Sequence, residues 1–305
     1  TKNKENMVLS IVVCTYNRAK FLSKCLNSIV KQIQIHAEKD LIELNIIDNN
    51  SNDSTKCLVE EIKNKNTIKI NYFYEKKQGL SHARNRGIKE SNANYIAFID
   101  DDATITNNWV LSLMKAIKEI KADVFGGPIY PNFEIKLPDW IDKSYFIRKF
   151  KSKNGLLKRL LRREGFSGGN MCIKKELFEN IGYFNTELGM IGNQLGLGEE
   201  SEFFYRLYNF NNNCTLYNLE DMAINHFEAK EKLTKRYLKN RIILSGKQYA
   251  KRTIIQQKGK GIIMVILKMT KQITSSILFF ITMKKFKTLK AIWVTKGLIK
   301  GLINK

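Results

Sequence analysis

The first part of the chain alternates short apolar runs with segments in which apolar residues recur every three or four positions. Residues 8–14 form a β-branched run of strand length, and residues 21–30 carry apolar side chains at helical spacing. Further strands are predicted at residues 41–47, 68–74 and 95–99, and further helices after the polar turn 49–55 and at about 81–91. This alternation predicts an α/β fold in which a mostly parallel sheet has helices on both faces.

Polar residues follow three of the predicted strands directly. They are residues 15–18 (Thr-Tyr-Asn-Arg), residues 48–50 (Asp-Asn-Asn) and the three aspartates at 100–102. Ligands of parallel α/β sheets bind beyond the carboxyl ends of the strands. One crevice is therefore expected to collect all three groups.

Asp100, Asp101 and Asp102 place three carboxylates side by side. Like charges this close stay ionised only beside a cation, hydrogen-bond donors or open water. A hard divalent ion such as Mg²⁺ or Mn²⁺, held by carboxylates and by substrate phosphates, would meet that need. The alternative is an acidic turn that caps a helix beginning at residues 107–109.

The second half of the chain is less regular. All three prolines and a basic run at 149–163 fall within residues 128–165, which predicts a long and mobile connection. Gly168 and Gly169 then precede a strand at 171–173 and a helix at 175–181. Two adjacent glycines let a backbone approach a ligand closely, but they are equally typical of a plain turn.

Three glutamates, Glu199, Glu200 and Glu202, open the next helical pattern. Carboxylates are candidates for proton transfer, but negative side chains are also favoured near any helix start by the helix dipole. The residues alone leave both interpretations open.

Composition and charge divide the chain into two parts. Its 305 residues are 43% hydrophobic and 27% charged, as in a folded protein, and five scattered cysteines without a C-x-x-C pair are expected to be reduced core residues. The net charge is +23, but residues 232–305 contain no Asp or Glu and carry +19, so the first 231 residues carry only +4. The basicity therefore belongs to a C-terminal extension.

We expect this basic, helical extension to meet a membrane surface. Residues 262–283 are strongly apolar, but Lys268 and Lys271 interrupt a stretch that would need about 20 apolar residues to span. An interfacial helix fits better, so residues 258–305 are predicted to bind an anionic membrane surface. The alternatives are a solvated basic tail or a helix pair that forms a homodimer. The predicted domains are residues 1–228 and 229–305.

Six motifs together resemble the family 2 glycosyltransferases, which have a GT-A fold with a Rossmann-like, mixed, mostly parallel sheet. They are SIVVCTYNR (10–18), IIDNNSNDST (46–55), GLSHARNRGI (79–88), YIAFIDDDA (95–103), FSGGNMCIKKELFENIGYFNTELG (166–189) and GEESEFFYRL (198–207). Each motif alone is weak, but six in order form a specific signal. The resemblance extends over residues 8–226.

The resemblance implies transfer of a sugar, with inversion, from a nucleotide-diphosphate donor to a hydroxyl group. A UDP-sugar is the favoured donor, and a glycan or lipid-linked molecule is the expected acceptor. The divalent cofactor is Mn²⁺ or Mg²⁺. Because the Q-x-x-R-W motif of the processive synthases is absent, addition of a single sugar is expected.

The same resemblance assigns roles to individual residues. Asp102 is expected to bind the metal, and His226 is either a further metal ligand or a structural histidine. Asp48 is expected to contact the nucleotide base, and Gly168 and Gly169 to shape the sugar pocket. The expected donor-binding residues are Thr15, Tyr16, Asn17, Arg18, Asp48, Asn50, Arg84, Asn85, Asp100, Asp101, Gly168 and Gly169.

Glu200 matches the catalytic base, which would accept the proton of the attacking hydroxyl. The family usually has Glu-Asp here, whereas this chain has a second glutamate, so Glu199 and Glu202 remain alternatives.

Other functions explain less of the sequence. A nucleic-acid-binding protein would account for the basic extension but not for the aspartates, so no nucleic-acid partner is expected. A nucleotidyltransferase would normally have a Gly- and Arg/Lys-rich phosphate loop where Thr15 begins a different motif. A non-catalytic nucleotide-sugar-binding relative is the remaining alternative. With no apolar leader in residues 1–5, we expect a cytoplasmic protein at the inner face of the cell membrane.

Overall fold

The computed structural model describes residues 7–150, 154–157, 165–257, 260–282 and 284–303. Most of the basic run at 149–163, predicted to be mobile, lies outside these residues. The chain divides into a first unit, Thr1–Asn132 with Ile147–Phe227, and a second unit, Phe133–Phe146 with Glu228–Lys305. The domains predicted at 1–228 and 229–305 stay a prediction.

Strands and helices alternate in the first unit, as predicted. The strands are β1 (Leu9–Thr15), β2 (Ile42–Asp48), β3 (Lys69–Tyr74), β4 (Tyr95–Asp100), β5 (Ala103–Ile105), β6 (Val124–Gly126), β7 (Ile129–Phe133), β8 (Asn154–Leu156), β9 (Asn170–Lys174), β10 (Leu216–Leu219) and β11 (Ile224–Glu228). The helices are α1 (Ala19–Ile35), α2 (Thr55–Lys65), α3 (Leu80–Glu90), α4 (Trp109–Glu119), α5 (Glu176–Ile181) and α6 (Glu199–Phe210). Short strands β5 to β8 are additions that the apolar pattern did not indicate.

Within the described residues the main sheet has eight strands in the order β3-β2-β1-β4-β9-β6-β10-β8, and β5, β11 and β7 form a second sheet. Neighbours from β3 to β4 are parallel, and so are β6 and β10. Strand β9 runs antiparallel to both β4 and β6, and β8 is antiparallel to β10. The predicted mixed, mostly parallel sheet is confirmed.

A hydrophobic core covers each face of the main sheet. In β1, Leu9, Ile11 and Val13 belong to the core that contains the buried sides of α1 and α4, while Val12 belongs to the core that contains α5 and α6. Successive strand residues point to opposite faces. A strand that is apolar at every position is therefore buried on both sides.

In the described part of the second unit the α-helices are α7 (Lys235–Gln256), α8 (Gly261–Ile281) and α9 (Lys285–Ile303), and two short 3-10 helices lie at Lys143–Tyr145 and Lys230–Leu233. Helices α7 and α9 cross closely at two glycines. A Cβ added to Gly297 would lie 2.2 Å from the backbone oxygen of Ile243, and one added to Gly246 would lie 2.7 Å from that of Val294. Only glycine permits this approach.

Within the described ranges, α8 is the one helix that is long and apolar enough to cross a membrane. Its two lysines, Lys268 and Lys271, on which we based the prediction of an interfacial position, do not exclude crossing by composition. Length and composition alone do not show where the helix lies.

Candidate functional site

Parallel pairing brings the polar strand ends to one edge of the sheet. Thr15 lies opposite Asp48 in the β1–β2 pair, and Cys14 lies opposite Asp100 in the β1–β4 pair. The three polar groups predicted to share a crevice therefore come from neighbouring strands. This edge is the place where parallel sheets bind ligands.

Asp100, Asp102 and His226 form a cluster at this edge. Ligand atoms of the three side chains all lie within 4.8 Å of one another. His226 Nε2 is 3.1 Å from Asp102 Oδ1 and 3.8 Å from Asp100 Oδ2. The histidine arrives through the second sheet, in which it lies opposite Ala103 of β5. Two carboxylates and one imidazole make a donor set suited to a divalent cation.

Asp101 lies beside this cluster but is not one of its three members. It is buried and accepts a hydrogen bond from Thr15 Oγ1 at 2.7 Å. Arg18 Nη1 lies 3.1 Å from Asp101 Oδ1 and 3.2 Å from Asp102 Oδ2. Burial raises the pKa of Asp101 to about 6, although Arg18 opposes the shift. Thr15, Arg18 and Asp101 thus hold the loop after β4.

Arg84 of α3 is the buried cation of the site. Its Nη1 lies 3.1 Å from Glu199 Oε1 and 3.6 Å from Glu200 Oε1, while Nη2 lies 3.8 Å from Asp100 Oδ1. Burial alone would lower its pKa, but the carboxylates of Glu200, Glu199 and Asp100 outweigh that effect and raise it. One guanidinium therefore joins the start of α6 to the end of β4.

Neighbouring glutamates at the start of α6 have different surroundings. Glu199 is 4% exposed, and burial raises its pKa to about 7, with a further contribution from the charge of Glu200. Among the described residues its Oε2 has no hydrogen-bond partner. Glu200 has a side chain that is 25% exposed and accepts a hydrogen bond from the Gly168 amide at 3.0 Å. Glu202 is bound by Arg206 at 2.7 Å.

Gly168 and Gly169 lie against the charged side chains. A Cβ at Gly168 would stand 2.3 Å from Glu200 Oε1, and one at Gly169 would stand 2.1 Å from Asp100 Oδ2. Because β9 runs antiparallel to β4, its first residues lie beside the carboxyl end of β4. The glycine pair therefore does more than make a turn, since it leaves room for two carboxylates.

Two tyrosines of β3 contact the end of β2, and the sequence analysis missed them. Tyr72 donates a hydrogen bond to Asp48 Oδ2 at 2.6 Å, and Tyr74 donates one to Asn50. Asp48 Oδ1 also accepts from the Ser51 amide at 2.9 Å. The sequence could have indicated that both tyrosines lie on one face of the sheet, since residues two apart in a strand point to the same face.

The remaining predicted donor-binding residues have separate places. Tyr16 is half-buried, while Asn17 is exposed and has a left-handed backbone with φ of 51°. The Asn17 side-chain oxygen accepts from the Asn52 amide at 2.8 Å, which ties the loop after β1 to the loop after β2. Asn85 instead makes two hydrogen bonds to the backbone of Phe184. Its contact with a donor stays a prediction.

Comparison with known proteins agrees with this arrangement. The sequence model of "Glycosyl transferase family 2" matches residues 10–182. A curated relative, the GalNAc(5)-diNAcBac-PP-undecaprenol beta-1,3-glucosyltransferase of Campylobacter jejuni, is 30% identical over 211 residues. The match covers 66% of this chain and 64% of the relative, so the chain spans less than two thirds of that protein's length.

Two solved structures resemble nearly the whole chain. One is S. aureus TarS 1–349 in complex with UDP-GlcNAc, with a TM-score of 0.58 and 17% identity over 97% of this chain and 92% of that one. The other is a mannosyltransferase from Pyrobaculum calidifontis in complex with GDP-Man and Mn²⁺, with a TM-score of 0.60 and 14% identity over 99% and 89%. At such identities the likeness shows the fold, and the predicted GT-A fold is confirmed. Since the family model matches more than half of its residues, the chain belongs to glycosyl transferase family 2.

Proposed function

We propose that this protein transfers a sugar, with inversion, from a nucleotide-diphosphate donor to a hydroxyl group of a glycan or lipid-linked acceptor. The observation that carries the proposal is the buried Arg84. It lies between Glu200 and the carboxylate of Asp100, which belongs to the cluster of Asp100, Asp102 and His226. The Arg84 guanidinium thus separates a candidate base from a candidate diphosphate site and lies close to both. Such an arrangement suits attack on a carbon whose diphosphate departs from the opposite side.

A UDP-sugar is the donor that we propose. Asp48, which is held in place by a hydrogen bond from Tyr72, accepts a hydrogen bond from an N–H group of the nucleotide base. The loop of residues 15–18 contacts the rest of the nucleotide. Asp100 contacts the ribose or the sugar, while the buried Asp101, bound by Thr15 and Arg18, holds this loop in position. Gly168 and Gly169 leave room for the Glu200 and Asp100 carboxylates that border the sugar. The S. aureus structure that resembles this chain holds UDP-GlcNAc, which supports the donor class.

Asp102 and His226, with Asp100 beside them, are the proposed ligands of Mn²⁺ or Mg²⁺. Their atoms converge within 4.8 Å, and the donor set fits a divalent cation. When bound, the cation supplies positive charge that stabilises the departing diphosphate. Arg18 forms an ion pair with Asp102 Oδ2, the oxygen that does not face His226, and keeps this carboxylate oriented.

Glu200 is the proposed base. A base must touch the acceptor, and the Glu200 side chain is a quarter exposed, whereas Glu199 is almost completely buried. Glu200 accepts the proton of the acceptor hydroxyl group. The hydroxyl oxygen of the acceptor bonds to the anomeric carbon of the donor sugar while the bond from that carbon to the diphosphate breaks. Glu199 holds Arg84 in position and does not contact substrate.

The acceptor and the cellular location rest on the relative and on the basic extension. The Campylobacter jejuni relative is named for an undecaprenol-linked substrate. Residues 232–305 carry 19 basic and no acidic residues, which favours contact with anionic lipid at the inner face of the membrane. We propose that residues 1–228 perform transfer, while residues 229–305 hold the enzyme where a lipid-linked acceptor is present.

Calorimetric titration tests the donor site directly. Purified protein is titrated with UDP, GDP, CDP and dTDP, each with and without Mn²⁺. We expect tight binding of UDP that requires the metal and is lost in Asp102→Ala. Asp221→Ala, which removes an exposed carboxylate outside the cluster, is the matched control and should bind normally.

Two results would contradict the proposal. Binding of UDP that persists in Asp102→Ala and still requires the metal would exclude Asp102 as a metal ligand. Failure of all four diphosphates to bind would favour a non-catalytic relative of the same fold.

A further inference from the structure

Helix α8 exposes its apolar residues. Its most exposed apolar side chains, between 57% and 76% exposed, are Ile263, Leu267, Ile277, Leu278, Phe280 and Ile281. Of its polar residues, Gln272, Ser275 and Ser276 are half-buried, whereas Thr270, Lys271 and Thr274 are exposed. A surface helix in water normally turns its large apolar side chains inward. The outer side of α8 is therefore suited to an apolar phase.

Lys268 of α8 does not place its charge on that outer side. Its Nζ lies 3.2 Å from the centroid of the Tyr249 ring on α7, a cation–π contact within the helical unit. Lys271 is exposed. Lys268 is thus turned inward in the structure, whereas Lys271, at the middle of the helix, stays on the exposed side.

A groove between α8 and α9 adds a second, independent feature. Its volume is about 480 Å³, within the range of small-ligand sites. The lining includes Ile273 of α8 and Ile292 and Ile299 of α9, together with Lys296 and Lys300. The two lysines are one helical turn apart, so they lie on the same side of α9. Residues 232–305 contain no Asp or Glu.

We propose that this groove binds an anionic phospholipid of the membrane, with α8 lying in the plane of one leaflet. The isoleucines contact one hydrocarbon chain, and the ammonium groups of Lys296 and Lys300 bind the phosphate. The inference rests on the proposed membrane association and deepens it, because it names the lipid-binding residues and the orientation of the helix.

An in-plane position follows from the neighbours of α8. Helix α9 packs along it and carries five lysines, and the basic α7 contacts it as well. If α8 spanned the bilayer, these charges would enter the hydrocarbon, which is unfavourable. In the plane of a leaflet, the apolar side of α8 contacts acyl chains while the lysines stay at the level of the phosphates.

A fluorescent probe in the groove tests the site in the intact 305-residue chain. The exposed Cys57 is replaced in Cys57→Ser, and Ser276→Cys, which lines the groove, is labelled with an environment-sensitive dye. Vesicles of phosphatidylcholine with and without phosphatidylglycerol are compared. Monomeric short-chain phosphatidylglycerol and inorganic phosphate are added separately, to distinguish a lipid from a free anion. We expect a blue shift with both forms of phosphatidylglycerol and none with phosphate.

Charge-matched variants test the two lysines. Lys296→Gln with Lys300→Gln should weaken binding of phosphatidylglycerol vesicles by about 30-fold. The control, Lys239→Gln with Lys251→Gln, removes two exposed charges from α7 and should weaken it clearly less. Equal losses in both double variants would overturn the proposal, because general charge would then explain binding.

Apolar variants test the hydrocarbon contact. Ile292 in the groove is 49% exposed and Ile255 on α7 is 78% exposed, so neither substitution disturbs a core. Ile292→Asn should lower affinity for monomeric phosphatidylglycerol several-fold, and Ile255→Asn should not. Equal effects of the two substitutions, or an equal dye response to inorganic phosphate, would overturn the proposal. UDP binding, measured on the same samples, distinguishes failure here from failure of the proposed transfer activity.

Discussion

Arg84 shows how single residues determine the character of this site. Burying a guanidinium is unfavourable unless carboxylates surround it, and here three do so from α6 and β4. Removal of the cation would leave several carboxylates close together. Arg84 therefore sets the positions of the groups that we propose for chemistry, and the neighbouring glutamates differ because only one of them is accessible.

Glu200→Gln should lower turnover by on the order of 10²- to 10⁴-fold, because the proton acceptor is lost. Binding of UDP and metal should change little, since glutamine retains an oxygen for the Gly168 amide. Turnover and UDP calorimetry on the same preparation measure both effects. Glu202→Gln, on the same helix but bound to Arg206, is the control and should keep its turnover. Normal turnover in Glu200→Gln would move the base to another residue.

Glu199 should make stability depend on pH. Its folded pKa of about 7 lies above the ordinary value of 4.5, so the folded state holds the proton more tightly. The stabilisation is full below pH 4.5 and is lost as the pH rises through about 7, by about 3 kcal/mol. In Glu199→Gln, which still faces Arg84 and Glu200, the free energy of unfolding should fall less between pH 5 and 8. Urea unfolding at several pH values measures this, and an identical fall in both proteins would contradict it.

At the scale of elements, the reversed strand β9 brings the two halves of the site together. The apolar pattern predicted the strand at 171–173, and it is present as Asn170–Lys174. Its direction could not be predicted, because direction depends on which distant strands it joins. Since it pairs antiparallel with β4, Asn170 lies opposite Ile99 and the glycines meet the aspartates. His226 likewise depends on the pairing of β11 with β5.

Gly297→Ala should destabilise the helical unit by about 1 to 3 kcal/mol, because the added methyl group would overlap the backbone of Ile243 on α7. Differential scanning calorimetry should show a lower melting temperature. The control is Lys285→Ala, an exposed substitution in the first turn of the same helix. If both variants melt at the temperature of the original protein, α7 and α9 do not approach as closely as described.

At the scale of the whole molecule, charge and apolar surface are separated along the chain. The first unit contains the aspartates and glutamates of the candidate site, whereas the second combines a net positive charge with exposed isoleucines. Deleting residues 258–305 would be a poor test of membrane binding. It would also remove the buried Trp293 and Leu298 of α9 from the core of the second unit.

Sedimentation with vesicles that contain phosphatidylglycerol should be partly resistant to salt. Raising the ionic strength from about 0.1 M to about 1 M shortens the Debye length from about 10 Å to about 3 Å and should release part of the bound protein. The remainder should stay bound, because apolar contacts through α8 are not screened. Complete release at high salt would mean that charge alone holds the protein, and full retention would mean that charge contributes little.

Neighbouring residues are enough to specify the local features of this protein. Apolar periodicity determined the α/β class and most of the elements, and six motifs determined the family, because both are properties of neighbouring residues. The tertiary structure decided which residues meet. It turned Glu199 inward, left Glu200 accessible, brought Tyr72 to Asp48 and exposed the apolar side of α8. These contacts join residues far apart in the chain, and only long-range strand pairing and helix packing can establish them.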